Sequence, residues 1–348
     1  MTYRIDSCHH VLAFCLAAGL ITGCGQAGLP VGANGIIQAA PSAVGLAHQK
    51  SEMLPEVVNG SLLYVSSGSG VSFFSYPRGK MLGSLTGLQG PFGMCADVQG
   101  HVYVVDGTAQ TIVEYNHGDT TPIRKLNDPN APFSCTVDPK NGNLAVCGGI
   151  GHGLGTGANV AVFRHAKGTP KVHISEYFDT FAFCAYDATG DLFATGGQSG
   201  AGVLAELVAG SATFVYIMVD KPFGNFADVQ WVGNVLVLAD PVGVYTGPAT
   251  FYKVRVSGST GTVVKTFQLS SGSGTKNIHA DGVGFWVHSG TIIYGKARFF
   301  NGEFGIDNAG LWKYPAGGNV ERTLKVGVPL TVMLAQPPPR PAAGAHRS

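Results

Sequence analysis

Five side chains along the chain could ligate a divalent metal ion. They are Asp128, Asp179, Asp220, His279 and Asp281. Carboxylate oxygens and imidazole nitrogens are common metal ligands, and a metal that they hold could activate water for hydrolysis. Each candidate lies near the start of an apolar run, and Asp281 also fits a turn position, where an aspartate accepts backbone hydrogen bonds. We favour this structural role, which leaves Asp128, Asp220 and His279 as weak metal candidates.

The N-terminal segment ends in a cysteine that could carry a lipid. An apolar run over residues 11–21 is too short to span a bilayer but fits the core of a signal peptide. It ends in Ile21-Thr22-Gly23-Cys24, which resembles the bacterial lipobox. The resemblance implies that Cys24 is lipidated and that the chain is cut before it. We therefore expect an exported protein that its lipid holds on the periplasmic or cell-surface side of a membrane; the alternative is an ordinary secretory signal.

The composition limits the class of the remaining chain. Of 348 residues, 45% are hydrophobic and only 12% are charged, which argues against a disordered protein. The formal net charge of +1 gives no electrostatic footprint for nucleic acid. The 51 glycines disfavour long helices, because a glycine inside a helix costs about 1 kcal/mol relative to alanine. We expect an all-β protein that does not bind nucleic acid.

A repeat predicts how the strands are arranged. A glycine followed by a short apolar, β-prone run recurs about every 40 to 50 residues, which is typical of propeller blades with four short strands each. The copies begin at Gly60, Gly100, Gly142, Gly190, Gly233 and Gly284. We predict a six-bladed β-propeller with four-stranded blades over residues 58–335. The run over residues 328–334 supplies the missing strand of the first blade, so that the N- and C-terminal strands pair and close the ring.

Local motifs within the repeat resemble a known group of proteins. The pattern Pro-Phe-Gly, then Asp, then Gly-x-Val-Tyr-Val-x-Asp and an Ile-Val-x-Tyr strand resembles the NHL-type six-bladed propellers. Tyr-Pro-x-Gly at 76–79 and 314–317 makes the chain more similar still to uncharacterised secreted bacterial propeller lipoproteins. The resemblance implies the fold and leaves the activity open, because propellers host many unrelated functions.

Segments of different composition flank the predicted propeller. Residues 24–57 are rich in Gly, Ala, Pro, Val and Ser, and we expect a flexible tether there. The proline- and alanine-rich residues 336–348 predict a disordered tail.

Four cysteines remain once Cys24 and the two of the leader are set aside. They are Cys95, Cys135, Cys147 and Cys184. Counting strand parity from the turn aspartates selects the bridges Cys95–Cys135 and Cys147–Cys184, or else turns Cys95 and Cys135 away from each other. The alternative is that all four are small buried hydrophobic residues.

Aromatic residues in and near the longest predicted loops, 150–159, 240–250 and 289–309, are candidates for ligand binding, because functional residues concentrate on loops. The candidates are Tyr177, Phe178, Asp179, Phe223, Tyr245, Phe299, Phe300 and Phe304. For Phe223 we favour the alternative that the ring fills a gap between blades.

These observations favour an extracytoplasmic binding or scaffold module. We expect a lipid-anchored monomer without a cofactor that binds an unknown protein, peptide or polymer. The alternative is a metal-dependent hydrolase or lyase, lactonase-like or amidating-lyase-like, with a divalent metal at the mouth of the channel.

Overall fold

The computed structural model describes residues 57, 59–149, 158–225, 227–240, 248–270, 284–300 and 303–339, all within a compact unit that spans Glu52–Ser348. The side chains of residues 181, 296–300 and 303–307 are outside this description. The predicted signal peptide over 1–23, Cys24 and the tether up to residue 56 also lie outside the described residues. In the described part of the chain, no helix is both long enough and apolar enough to cross a membrane.

Short strands account for most of the described residues, with a single 3-10 turn at Arg164–Ala166. The first twelve strands are β1 (Leu62–Ser66), β2 (Val71–Ser75), β3 (Met81–Leu85), β4 (Pro91–Ala96), β5 (Val102–Asp106), β6 (Thr111–Tyr115), β7 (Pro122–Asn127), β8 (Pro132–Val137), β9 (Leu144–Gly148), β10 (Asn159–Phe163), β11 (Lys171–Ile174) and β12 (Thr180–Tyr186). The others are β13 (Leu192–Gln198), β14 (Ala201–Leu207), β15 (Val215–Val219), β16 (Asp228–Val232), β17 (Val235–Asp240), β18 (Ala249–Ser257), β19 (Thr260–Ser270), β20 (Trp286–His288), β21 (Thr291–Phe300), β22 (Glu303–Lys313), β23 (Gly318–Asn319), β24 (Arg322–Leu324) and β25 (Thr331–Ala335).

The turn between the first two strands of a sheet follows the predicted chemistry. Between β4 and β5, Asp97 Oδ1 accepts the backbone N–H groups of Gln99 and His101 at 2.9 and 2.8 Å. Gly100 has a φ of 89°, a left-handed conformation that side chains rarely adopt. Asp138 and Asp187 accept backbone N–H groups in the same way in the next two such turns. The turn residues therefore fix the register of each hairpin.

The strands form four separate four-stranded sheets and one nine-stranded sheet within the described residues. The separate sheets are β25-β1-β2-β3, β4-β5-β6-β7, β8-β9-β10-β11 and β20-β21-β22-β24. The nine-stranded sheet joins the antiparallel groups β12–β15 and β16–β19, because Met218 and Val219 of β15 pair in parallel with Thr260 and Gly261 of β19. The ninth strand is the short β23, which pairs in parallel with the other end of β19. The described residues therefore show four separate four-stranded blades, and the six blades predicted from the sequence are not all separate.

The strand closest to the C-terminus belongs to the first sheet. It pairs antiparallel with β1, in a register that runs from Leu62 opposite Ala335 to Ser66 opposite Thr331. Strands β25, β4, β8, β12, β16 and β20 contact one another in that cyclic order. The fold is therefore an all-β, propeller-like arrangement with its innermost strands around a common centre.

Two sequence assignments near residue 290 differ from the structure. The run after Gly284 forms β20, the first strand of its sheet, and the turn glycine is Gly290, with a φ of 76°. The apolar run fits either strand, so the pattern alone misplaced it. Residues 291–300 and 303–313 form the extended hairpin β21–β22, although we expected a long loop over 289–309.

Both predicted flanking segments contact the sheets where they are described. Val57, at the end of the predicted tether, is buried in a cluster with Leu62 and Tyr115. At the other end, Gln336 Oε1 accepts a hydrogen bond from Ser61 Oγ at 3.0 Å. The part of the chain that contacts the sheets therefore includes Val57 and extends beyond Ala335.

Candidate functional site

A narrow channel of about 200 Å³ lies between the innermost strands. Asp228 on β16 lies in its wall and joins two sheets, because its Oδ2 accepts the Phe285 N–H at 2.8 Å. Burial raises the pKa of Asp228 to about 8, although the two backbone hydrogen bonds that its carboxylate accepts lower it. Gln230 makes the same kind of contact between the two strands, because its Oε1 accepts the Val287 N–H at 2.7 Å. These side chains hold β16 to β20.

A larger cavity of about 960 Å³ lies on the face that carries the aspartate turns. It extends from the mouth of the channel to the gap between β4–β7 and β8–β11. Ala96, Val137, Tyr186 and Trp231 line both the cavity and the channel. The volume is at the upper end of the range for small-molecule sites, which is about 300–1,000 Å³.

A row of polar side chains forms one wall of this cavity. Tyr103, Glu114 and Arg124 are directly opposite one another on β5, β6 and β7. The Tyr103 hydroxyl donates to Glu114 Oε1 at 3.2 Å, and Arg124 NH1 lies 3.2 Å from Glu114 Oε2. Glu114 is 3% exposed, so this carboxylate lies in the protein interior beside the cavity. We call these three residues the polar row.

The polar row continues into the neighbouring turn. His101 Nδ1 lies 2.7 Å from Asp97 Oδ2 and 4.0 Å from Glu114 Oε1. The Tyr103 hydroxyl is also within 3.4 Å of Asp97 Oδ2. Burial, together with the carboxylates of Glu114 and Asp97, raises the pKa of Tyr103. Tyr103 therefore stays protonated and donates to these carboxylates at ordinary pH.

Equivalent positions in the other sheets are mostly apolar. Tyr103 is three residues after its turn glycine, and Glu114 is its partner on the next strand. The corresponding pairs are Leu63–Phe74 on β1–β2, Ala145–Val162 on β9–β10, Phe193–Glu206 on β13–β14 and Leu236–Val254 on β17–β18. Among these five strand pairs, only β5–β6 combines a hydroxyl, a carboxylate and an adjacent guanidinium.

The sequence predictions did not include the polar row. Aligning the repeats on the turn glycine and comparing the third residue and its cross-strand partner would have found it. Glu114, in Thr-Ile-Val-Glu-Tyr, then stands out as a charge at a position that three of the four other pairs fill with an apolar residue.

The aromatic candidates do not form one exposed patch in the described residues. Phe178 and Phe223 are buried in apolar clusters, where they pack against the core. Tyr177 packs partly against the core, with its ring centroid 5.7 Å from that of Tyr216. Asp179 accepts the Ser199 N–H at 2.6 Å.

The remaining aromatic candidates fall largely outside the described part of the chain. Tyr245 lies outside the described residues, as do the side chains of Phe299, Phe300 and Phe304. The backbone places Phe299 opposite Phe304 in the β21–β22 hairpin.

The described metal candidates bind protein groups. Asp128 Oδ1 accepts the backbone and side-chain N–H groups of Asn130 at 3.1 and 2.9 Å, and burial raises its pKa. Asp220 Oδ1 accepts the Val263 N–H at 2.8 Å. His279 and Asp281 lie outside the described residues. Over the described ranges, no group of three or more His, Cys, Asp or Glu side chains is arranged to hold a metal.

One of the two bridges selected by strand parity is present. Cys95 on β4 and Cys135 on β8 form a disulfide with a Cα–Cα distance of 5.6 Å. Cys147 and Cys184 are free, buried thiols that lie in contact, and burial raises the pKa of Cys147. The second expected bridge is therefore absent, although its two thiols are neighbours.

Comparisons with known proteins support the fold class. No protein-family profile matches the sequence, and the comparison with curated proteins found no match. The crystal structure of a nidogen/laminin complex superimposes with a TM-score of 0.60 and 10% identity, over 80% of this chain and 100% of that one. A protein of unknown function from Bacteroides caccae superimposes with a TM-score of 0.57 and 10% identity, over 80% and 99% of the two chains. The chain thus has a β-propeller fold.

Proposed function

We propose that this protein is a lipid-anchored, extracytoplasmic binding module whose ligand occupies the cavity beside the polar row. The carrying observation is Glu114, a buried carboxylate at a position where most equivalent strand pairs have an apolar side chain. Arg124 and Tyr103 pair this carboxylate, but an apolar side chain would stabilise a sheet interface at least as well as such a buried pair. Its presence beside a large cavity favours a role in binding.

The number of blades and the closure of the ring are part of the same proposal. Counting β12–β15 and β16–β19 as separate blades gives six four-stranded blades, as in the NHL-type propellers. The pairing of β25 with β1 and the cyclic contacts of the innermost strands support closure of the ring by the two ends of the domain.

The proposed lipid anchor and the proposed scaffold role rest on separate observations. Anchoring through Cys24 is supported by the resemblance of residues 21–24 to the lipobox. The similar structure of a nidogen/laminin complex contains a protein that acts in a protein complex, which is in keeping with a scaffold role.

Carbene footprinting of the protein in isolated cell envelopes and of the purified protein tests the proposed site. We expect residues 98–99 and 140–141, at the edge of the cavity, to be labelled less in the envelope. Met218, which is 65% exposed on β15, is the control and should be labelled equally in both samples. Equal labelling at the cavity in both samples would overturn the proposed site.

A further inference from the structure

Arg124 of the polar row has hydrogen-bonding capacity left for a ligand. Its NH1 group donates to Ala166 O at 2.8 Å and lies 3.2 Å from Glu114 Oε2. Among the described residues, no group pairs with the N–H groups of Nε and NH2. The Arg124 side chain lines the cavity and is 35% accessible, whereas that of Glu114 is only 4% accessible. These contacts therefore fix the guanidinium at the cavity and leave donors on it unused.

The carboxylates of the cavity lining are largely hidden from its contents. Asp138 and Asp187 are 2% and 8% exposed, and each accepts a backbone N–H group of its own turn. The side chain of Asp97 is 9% accessible, and it accepts two backbone N–H groups in the same way. Glu114 is paired within the polar row. A ligand in the cavity therefore meets little of the negative charge in the lining.

The contact between Arg124 and Ala166 brings further cations to the same part of the lining. Lys167 follows Ala166 directly, is exposed, and has an ammonium group without a partner among the described residues. His165, on the other side of Ala166, has its Nδ1 2.7 Å from the carbonyl oxygen of the residue after Lys140. Lys140 is exposed in the lining, and its ammonium makes one backbone contact at 3.4 Å. These three cations carry hydrogen-bond donors and no acceptors.

We propose that this part of the cavity binds an oxyanion, a carboxylate or phosphate group of the ligand; this rests on the proposed function. The planar guanidinium of Arg124 can donate from Nε and NH2 to two oxygens of such a group at once, and Lys167 supplies a second positive charge. Glu114 is then a positioning residue, which holds the guanidinium without touching the ligand. That role accounts for a buried carboxylate beside the cavity.

The test titrates purified protein with inorganic phosphate and with succinate by isothermal calorimetry, in about 0.1 M sodium chloride to screen distant charges. We expect at least one of the two anions to bind, and the one that binds distinguishes a phosphate site from a carboxylate site. Arg124→Lys keeps the charge but loses the bidentate donors, so it should weaken binding by about tenfold. Lys125→Met is the matched control, since Lys125 is exposed on the same strand outside the cavity lining, and it should change the affinity by less than about twofold.

The positioning role of Glu114 has its own readout. Glu114→Gln should weaken anion binding by about threefold, because the guanidinium loses the charged partner that orients it. In the Arg124→Lys background the same substitution should change the affinity by less than about twofold, since no bidentate donor is left to orient. Equal weakening in both backgrounds would show that Glu114 does not act through Arg124.

A further variant keeps the test decisive if Arg124→Lys fails to fold. Lys167→Met removes an exposed cation without a described side-chain partner, and it should weaken binding by at least about threefold. Failure of both anions to bind would overturn the oxyanion proposal, as would binding that neither Arg124→Lys nor Lys167→Met weakens. Protection of residues 98–99 in the envelope would in those cases still support the binding function, so the two failures are distinguishable.

Discussion

Cys95 and Cys135 join the innermost strands of two neighbouring sheets through a disulfide, with their Cα atoms 5.6 Å apart. Both residues line the central channel, at the inner end of the gap that opens into the cavity. The bridge thus ties together the two sheets between which the proposed ligand lies.

Reduction of this bridge is expected to lower the free energy of unfolding by about 2–4 kcal/mol, because the closed loop spans 40 residues. Denaturant unfolding with and without reductant measures the difference. Cys95→Ala/Cys135→Ala should be insensitive to reductant, whereas Cys147→Ala/Cys184→Ala should retain the full sensitivity. Loss of sensitivity in the second variant would show that the other pair carries the bridge.

Asp228 is expected to make stability fall as the pH rises. Its pKa is raised in the folded state from 3.8 to about 8, so its contribution is fully present below pH 4 and is lost as the pH approaches 8. Burial lowers the pKa values of His117 and His173. These two histidines make stability rise with pH up to about pH 6.5, which opposes the effect of Asp228 in that range.

The Asp228 prediction is therefore tested between pH 6.5 and 8.5 by denaturant unfolding. Asp228→Asn keeps an acceptor for the Phe285 N–H and should flatten the pH dependence. Asp220→Asn, which removes an exposed carboxylate, should leave the wild-type slope. An unchanged slope in Asp228→Asn would refute the assignment.

Removal of the C-terminal strand is expected to cause aggregation. A chain that stops before Val328 lacks β25, which exposes the edge of β1 and removes the 2.6 Å hydrogen bond from Thr331 Oγ1 to Phe92 O. Light scattering and thermal unfolding measure the effect. A chain that stops after Pro339 keeps the described contacts and should behave like the full chain. A monomeric 1–327 protein with an unchanged Tm would contradict this role of β25.

Cys24→Ser is expected to abolish membrane anchoring. The variant should leave the detergent phase in Triton X-114 partitioning or accumulate with its leader uncleaved, because the acyl chains that anchor the protein are absent. Cys147→Ala is a control that should stay in the detergent phase. Mass spectrometry that found an unmodified mature N-terminus at another residue would disprove lipidation.

The strands could be predicted because their signals are local. An aspartate and a glycine define the turns at 97–100, 138–142 and 187–190, and alternating apolar residues define the strands beside them. Gly284 was misassigned because Phe-Trp-Val-His suits a first or a second strand equally well. The parallel contact of Met218 with Thr260 has no local signal, since it depends on how two sheets meet.

The candidate site was less predictable than the fold. The long predicted loops indicated a binding site on one face, whereas the cavity lies on the face with the short aspartate turns. Each residue of the polar row is ordinary in its own strand. Only the register that sets Glu114 between Tyr103 and Arg124 shows that three polar side chains meet there.

The parallel contact between β15 and β19 couples the local unfolding of the two strand groups that it joins. The backbone hydrogen bonds at Met218 and Val219 cannot break without freeing groups on β19 as well. Amide hydrogens in β12–β15 and β16–β19 should therefore exchange with solvent as one cooperative unit. The same contact covers part of the outer edge of β15, which lowers its availability for pairing with another chain.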